Sequence, residues 1–336
     1  MSGDVVTLAD GAGGKASRRL VEGLFLEELR NPLLEPLGDA ALVSANGTRF
    51  AFTTDSYVVR PLRFPGGDIG ELAVNGTVND LAVSGAVPLA LSAGFVIEEG
   101  FPLDELRGLT ASMARAALDA GVSVAAGDTK VVERGAADGL YVTTAGIGLL
   151  DLRAVLGFEH VRPGDRVLVS GGIAEHGIAV MFARGNLQLE LDVASDTAPL
   201  NGLTAALCAL GPDLRWMRDP TRGGLATTLN ELAAGARATV VLDEASIPVR
   251  DDVRAACEIL GIDPLYVANE GKLVAVVAPD ATDAALAALR SEPLGAGAVD
   301  IGEIREDDEP LVLVDTPYGG SRIVDMLVGD PLPRIC

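Results

Sequence analysis

Cysteine and histidine are scarce in this sequence, with three and two residues respectively. The cysteine count is odd and no CxxC pair occurs, which excludes a disulfide framework and a zinc ribbon. Cys208 and Cys257 fall in apolar helical stretches and read as packing residues. A membrane-spanning run is also missing. The longest uncharged stretch, Leu81 to Ile97, has 17 residues, contains Gly85 and Pro88 and stops at Glu98, too short and too broken to cross a bilayer. The first residues carry neither a basic nor an apolar signal region, so the expected location is cytoplasmic. Basic residues are the third shortage, 26 against 48 acidic ones, for a net charge of −22. Such a field repels phosphate backbones and anionic lipid, so neither nucleic acid nor membrane is expected as a partner.

What is present is a chain of 336 residues, 49% apolar and 22% charged, with 40 glycines. At about 150 residues per domain this suits two globular domains. In the first half, β-prone stretches at 50–54, 89–97 and 140–150 alternate with an amphipathic helix at 104–120 and a helix at 69–86. The pattern resets near Leu152 to Pro163, where RPGDRVLVSGG begins a new strand. Helices are expected at 174–184, 200–210, 224–234, 251–260 and 281–290, with strands at 239–242, 273–277, 299–304 and 311–314. The fold class is α/β (α+β), with domains at 1–152 and 153–318. A flexible tail follows at 319–336, whose end, GDPLPRIC, favours an extended polyproline-like path.

An acidic protein can still bind a polyphosphate if carboxylates hold a divalent cation and backbone N–H groups meet the phosphates, so ATP with magnesium is compatible with the charge. The acidity otherwise serves solubility. Asp55 follows FAFTT, Asp128 follows GVSVAAG and Asp80 lies in AVNGTVNDLAV. Acids at strand ends converge on a metal or, singly, cap helices and turns. Glu71, Asn75 and Asn79 recur every four residues on an apolar helix, a stripe that faces either solvent or a polar cavity. Gly11 to Lys15 (GAGGK) offers Gly13, Gly14 and Lys15 to a phosphate or is a linker; it lacks Walker A spacing. Asp219 to Gly224 (DPTRGG) combines a carboxylate for metal, Arg222 for phosphate, and Gly223 and Gly224 at a helix start, with an ordinary capped turn as the alternative.

Asn269 to Lys272 (NEGK) and Gly127 to Lys130 (GDTK, with Thr129) each place a base beside a phosphate-capable group, or form surface turns. No GxSxG nucleophile elbow occurs. Cys336 is the last residue; the adjoining carboxylate raises its thiol pKa and Arg334 opposes this. Extended, residues 329–336 reach about 20–25 Å, the shape of a carrier arm.

Together, DGAGGK at 10–15, TTDSYVV at 53–59, FPGGDIGELAVNGTVNDLAVSGAVP at 64–88, GDTKVVERGA at 127–136, DPTRGG at 219–224, NEGKL at 269–273 and PLPRIC at 331–336 resemble the HypE family of hydrogenase maturation proteins. That family belongs to the superfamily of aminoimidazole ribonucleotide synthetase and selenophosphate synthetase. The resemblance runs nearly end to end and implies a two-domain aminoimidazole ribonucleotide synthetase-like fold. It implies a homodimer formed through the N-terminal sheet and an ATP site in the cleft. It also implies the activity: the terminal cysteine is carbamoylated by HypF, ATP drives dehydration of the carbamoyl group to a thiocyanate, and the cyano group passes to iron on the HypC–HypD complex for [NiFe]-hydrogenase. By this resemblance Asp55, Asp80, Asp128 and Asp219 hold magnesium and phosphates, Glu270 and Lys130 bind or deprotonate the amide, and Cys336 carries it. Two other readings compete, a selenophosphate or aminoimidazole ribonucleotide type synthetase and a non-catalytic docking scaffold. Selenophosphate synthetases commonly carry Cys or selenocysteine near the glycine loop, whereas here no cysteine precedes Cys208.

Overall fold

The computed structural model describes residues 5–11, 13–185, 192–307, 309–328 and 334–336. It holds two large sheets, one from each half of the chain. In the first half, α1 (Gly14–Leu20) passes through a π-helical stretch (Val21–Phe25) into α2 (Leu26–Leu29). Then come β1 (Ala41–Ala45), β2 (Thr48–Tyr57), the short pair β3 (Arg63–Phe64) and β4 (Gly67–Asp68), and α3 (Ile69–Val83). They are followed by β5 (Ala86–Glu98), α4 (Leu103–Asp119), β6 (Ser123–Val132) and β7 (Leu140–Leu150). Five strands form a sheet in the order β1-β2-β7-β5-β6, antiparallel except for the edge pair β5 and β6.

The second half supplies β8 (Arg166–Val169), α5 (Glu175–Ala183), α6 (Asn201–Cys208), β9 (Leu214–Arg218), α7 (Gly224–Ala236) and β10 (Thr239–Asp243). It continues with α8 (Asp251–Leu260), β11 (Val274–Val277), α9 (Thr282–Arg290), β12 (Val299–Arg305), β13 (Val312–Thr316) and β14 (Gly320–Ile323). The sheet order is β14-β13-β10-β12-β8-β11-β9.

Strand alternation decides how each sheet is covered. In β8, Val167 and Val169 pack with Leu225, Leu229 and Leu232 of α7, whereas Leu168 packs with Leu203 and Leu207 of α6 and Leu289 of α9. Successive side chains face opposite ways, so an unbroken apolar strand belongs in a sheet buried on both faces. The first sheet packs α3 and α4 on one face, where Leu72, Val78, Leu109 and Met113 meet Ala51, Leu91 and Val142. On its other face the register sets Phe52 opposite Ile147 and Val87 opposite Leu149, all four exposed. No described helix is long and apolar enough to cross a membrane.

The structure corrects three expectations. The helix expected to reach residue 86 ends at Val83, because Gly85 turns the chain at φ +79° and Ala86 already pairs with Leu150. Asp55 and Asp128 lie inside β2 and β6 rather than beyond them, since ladder pairing runs on through Tyr57 and Val132. The segment from 319, expected to open the tail, contributes β14, antiparallel to β13 with Ile323 opposite Leu313. Residues 329–333, where the polyproline-like path is expected, lie outside the described residues.

Candidate active site between the two sheets

Helix α3 carries the first part of the site. Asp68 caps it, accepting the N–H groups of Gly70 and Glu71 at 2.9 and 3.2 Å, which satisfies donors the first turn leaves open. Most of its apolar residues face the first sheet, and Asn75 and Asn79 of its polar stripe face the second half of the chain, not solvent. Asn79 accepts the N–H of Leu200 (2.8 Å) and donates to the carbonyls of Ala198 (3.1 Å) and Glu270 (3.2 Å). Asn75 donates to Thr197 Oγ1 (3.1 Å), and its own Oδ1 is buried with no partner among the described residues. Glu71 is half-buried, and burial followed by the Asp68 charge raises its carboxyl pKa.

Asp80 lies one residue beyond Asn79. Its carboxylate meets those of Asp39, two residues before β1, and Asp219, directly after β9; one oxygen from each lies within 4.8 Å of the others. Arg218 pairs with Asp39 at 2.7 Å and with Glu231 at 3.0 Å, and Thr53 donates to Asp80 at 2.9 Å. One guanidinium is too little for three acids. Burial first, then Asp219, Asp39 and Asp55, push the Asp80 carboxyl well above its ordinary range. Burial and Asp39 push Asp219 up to about 7. Clustered oxygens whose mutual repulsion exceeds what one guanidinium offsets suit a hard divalent cation, so the donor set fits magnesium.

Glu270 stands beside this cluster on a loop anchored from both sides. Asp196 accepts the N–H groups of Glu270 (3.1 Å) and Gly271 (3.3 Å) and lies 3.3 Å from Lys272 Nζ. A Cβ on Gly271 would fall 1.7 Å from the Asp196 carbonyl oxygen, so only glycine permits this approach. Glu270 is buried, and its Oε1 has no partner among the described residues. Burial, then Asp219 and Asp55, raise its carboxyl pKa well above the usual range, against Arg222.

Gly223 and Gly224 open α7 in the left-handed region, at φ +75° and +59°. A Cβ on Gly224 would come within 2.6 Å of the carbonyl oxygens of Leu265 and Val267, so the glycine lets the helix start press on that backbone. Arg222 donates to the Gly11 carbonyl (3.2 Å), which brings the glycine-rich segment with Gly13 alongside it. Lys15, after Gly14, pairs with Asp325 at 2.5 Å, and its N–H donates to Leu327 O (2.8 Å). Ala12 lies outside the described residues.

The end of the chain docks here. Val58 N–H donates to Cys336 O (3.1 Å), and Arg334 O accepts from Arg60 N–H (3.3 Å) and Arg184 Nη2 (2.7 Å). Arg334 donates to Val58 O (3.0 Å) and to Asp138 (2.5 Å), Ile335 is buried, and Cys336 packs against the apolar core. The charge on Cys336, against the cost of burial, holds the Arg222 guanidinium pKa raised, with Asp55 and Glu270 contributing after it. Arg222 thus joins the docked end electrostatically to the acids.

Asp128, Thr129 and Lys130 lie apart from the cluster, exposed on edge strand β6. Lys130 pairs with Asp128 at 2.6 Å, Thr129 N–H donates to the same carboxylate (2.8 Å), and the lysine holds the Asp128 pKa low. Sequence reasoning missed Asp39 and Asp196. Asp39 does carry a signal, an acid abutting the apolar strand ALVSA, like the one that singled out Asp55. Asp196 carries none.

The family of AIR synthase related protein, N-terminal domain, matches residues 37–150, and that of its C-terminal domain matches 162–315. A curated relative from Rhizobium leguminosarum bv. viciae, named carbamoyl dehydratase HypE, is 54% identical, with 98% of this chain and 95% of that protein covered. The chain belongs to the HypE family. A solved HypE structure in complex with ATP is 45% identical with a TM-score of 0.82, covering 99% of this chain and 100% of its own. HypE in a HypE–HypF complex is 47% identical with a TM-score of 0.88, covering 92% and 99%. The motif resemblance to HypE and the expected aminoimidazole ribonucleotide synthetase-like fold are therefore both borne out.

Proposed function

We propose that this protein uses ATP to dehydrate a carbamoyl group carried on the Cys336 thiol, forming a thiocyanate for the iron of [NiFe]-hydrogenase. The observation that carries this reading is the docking of residues 334–336 in the cleft, with Arg222 linking Cys336 to Asp55 and Glu270. The HypE names of the relatives, one of them solved with ATP and one with HypF, support it.

The carbamoyl oxygen attacks the γ-phosphorus and releases ADP; phosphate then leaves carbon as two N–H protons depart, so the C–N bond becomes triple. ATP and the thiocarbamate yield ADP, phosphate and the thiocyanate. Glu270 suits the first proton, because its buried, unpartnered Oε1 has a raised proton affinity. Lys130 is assigned to the amide on the family resemblance, and in this structure it faces Asp128. Asp39, Asp80 and Asp219 would hold magnesium, which when bound neutralises phosphoryl charge. Arg222 would meet phosphate, a role its guanidinium beside Asp55 and Glu270 supports. Burial of Ile335 and Glu270 keeps water from the dehydrating centre.

HypF is the proposed carbamoyl donor and the HypC–HypD complex the acceptor. A homodimer through the bare face of the first sheet would cover Phe52, Val87, Ile147 and Leu149. The test is to incubate protein carbamoylated at Cys336 with Mg-ATP and weigh the C-terminal peptide. Loss of one water with release of ADP is expected; unchanged mass with ATP bound overturns the reading.

A further inference from the structure

His176 and Ser195 stand outside the acid cluster. His176, in the first turn of α5, is fully buried, with its ring edge-on to Phe64 at 5.4 Å. Its Nε2 lies 2.9 Å from the Ile335 carbonyl oxygen and its Nδ1 2.8 Å from Ser195 Oγ. Ser195 Oγ also accepts the N–H of Thr197 at 3.1 Å, which leaves it both a proton and a lone pair for Nδ1, so the state of the ring is decided at the other nitrogen. A neutral ring then carries its hydrogen on Nε2, facing a carbonyl that can only accept. Burial, which lowers the His176 pKa, favours that neutral ring.

We propose that His176 is a positioning residue whose Nε2–H, with Ser195 Oγ donating to Nδ1 behind it, latches the Ile335 carbonyl and so holds Cys336 in the cleft. Among the described contacts of residues 334–336, this is the one in which a side-chain donor and the accepting residue are both fully buried. The Arg334–Asp138 pair and Arg184 are partly exposed, and water replaces much of what they offer. A buried carbonyl left without a donor is penalised far more. The latch is also wired to the rest of the site. Ser195 N–H donates to Pro65 O (2.7 Å), Asp196 holds the Glu270 loop, and Thr197 receives Asn75. Three consecutive residues thus fix the docked tail, the proposed base and α3 together.

The inference rests on Cys336 as the substrate-bearing residue, but its test needs neither nucleotide nor carbamoyl group. Full-length protein without ATP is treated with iodoacetamide, and alkylation of the C-terminal peptide is timed by mass spectrometry. His176→Leu, which fills the space without a donor, is expected to react about tenfold faster. His176→Gln, whose amide hydrogen reaches the same place, should stay within about twofold of the parent protein, and Ser195→Ala should react about threefold faster. A parental rate in a folded His176→Leu variant overturns the latch, and so does a Gln variant as fast as Leu, which would make the effect one of packing. If His176→Leu does not fold, an unchanged rate in Ser195→Ala overturns it. Should the dehydration assay fail while these rates hold, the function is wrong and the latch stands.

Discussion

The seven-stranded sheet is walled by α7 on one face and by α6 and α9 on the other, whereas the five-stranded sheet carries α3 and α4 on one face and leaves Phe52, Val87, Ile147 and Leu149 bare on the other. The second half therefore completes its own core, whereas the first half leaves an apolar face exposed among the described residues. The acids repeat the contrast at smaller scale. Asp39 and Asp80 come from the incomplete half, Asp219 and Glu270 from the complete one, and the charge assembled where they meet is only partly compensated by Arg218 and Arg222. Completeness of packing and readiness for chemistry are thus distributed differently over one chain.

The largest effect should come from the cluster. Asp219→Asn is expected to lower ATP-dependent dehydration by about a thousandfold while raising the urea midpoint of cation-free protein at pH 8; a midpoint that falls would mean the acids are already satisfied. Next comes the bare face. Phe52→Asp with Ile147→Asp should weaken self-association by about a hundredfold in sedimentation equilibrium, whereas Leu203→Ala in the walled sheet should leave assembly intact and cost about 2–5 kcal/mol of stability. Equal effects of the two changes on assembly would erase the contrast.

Acidity sharpens the comparison further. Burial and Asp39 push the folded Asp219 carboxyl up to about 7 from an ordinary 3.8, so between these values the folded state keeps a proton the unfolded chain has lost, and stability declines as pH rises through that window. Asp138 runs the other way: its pKa is lowered by Arg334, so its contribution is present above about 4 and fades below. The urea midpoint with chelator should accordingly fall from pH 5 to pH 8, and magnesium should restore it at pH 8. The smallest effect is expected at the exposed Arg18–Glu22 pair, where Arg18→Ala should change stability by about 0.5 kcal/mol or less.

Much of this arrangement was legible in the residues. The extent of α3 was readable to within one turn, from its apolar run and the glycine beyond it, and Asp80, Asp219 and Glu270 were visible because motifs surround them. Asp39 was hidden because its importance comes from Arg218, which joins it to Glu231, and Arg218 ends a strand that was itself missed. In that strand, Arg215 and Arg218 interrupt the apolar run around Leu214 and Trp216 and mask its period. The stripe on α3 was seen but not its target, since Asn79 bonds backbone atoms of Ala198, Leu200 and Glu270. Any residue supplies such atoms, so no sequence signature marks them. His176 shows in the sequence only as one of two scarce histidines, and its role depends on a carbonyl 159 positions away.

The clasp at Asn79 has a bearing on traffic. With α3 hydrogen-bonded to the backbone at 198, 200 and 270, parting the two halves has to break all three contacts, so a group carried on Cys336, as proposed, would come and go with the end of the chain and not by the halves opening. On that proposal the donor and the acceptor would take turns at one thiol, and a single carrier residue would impose that order without a separate timer.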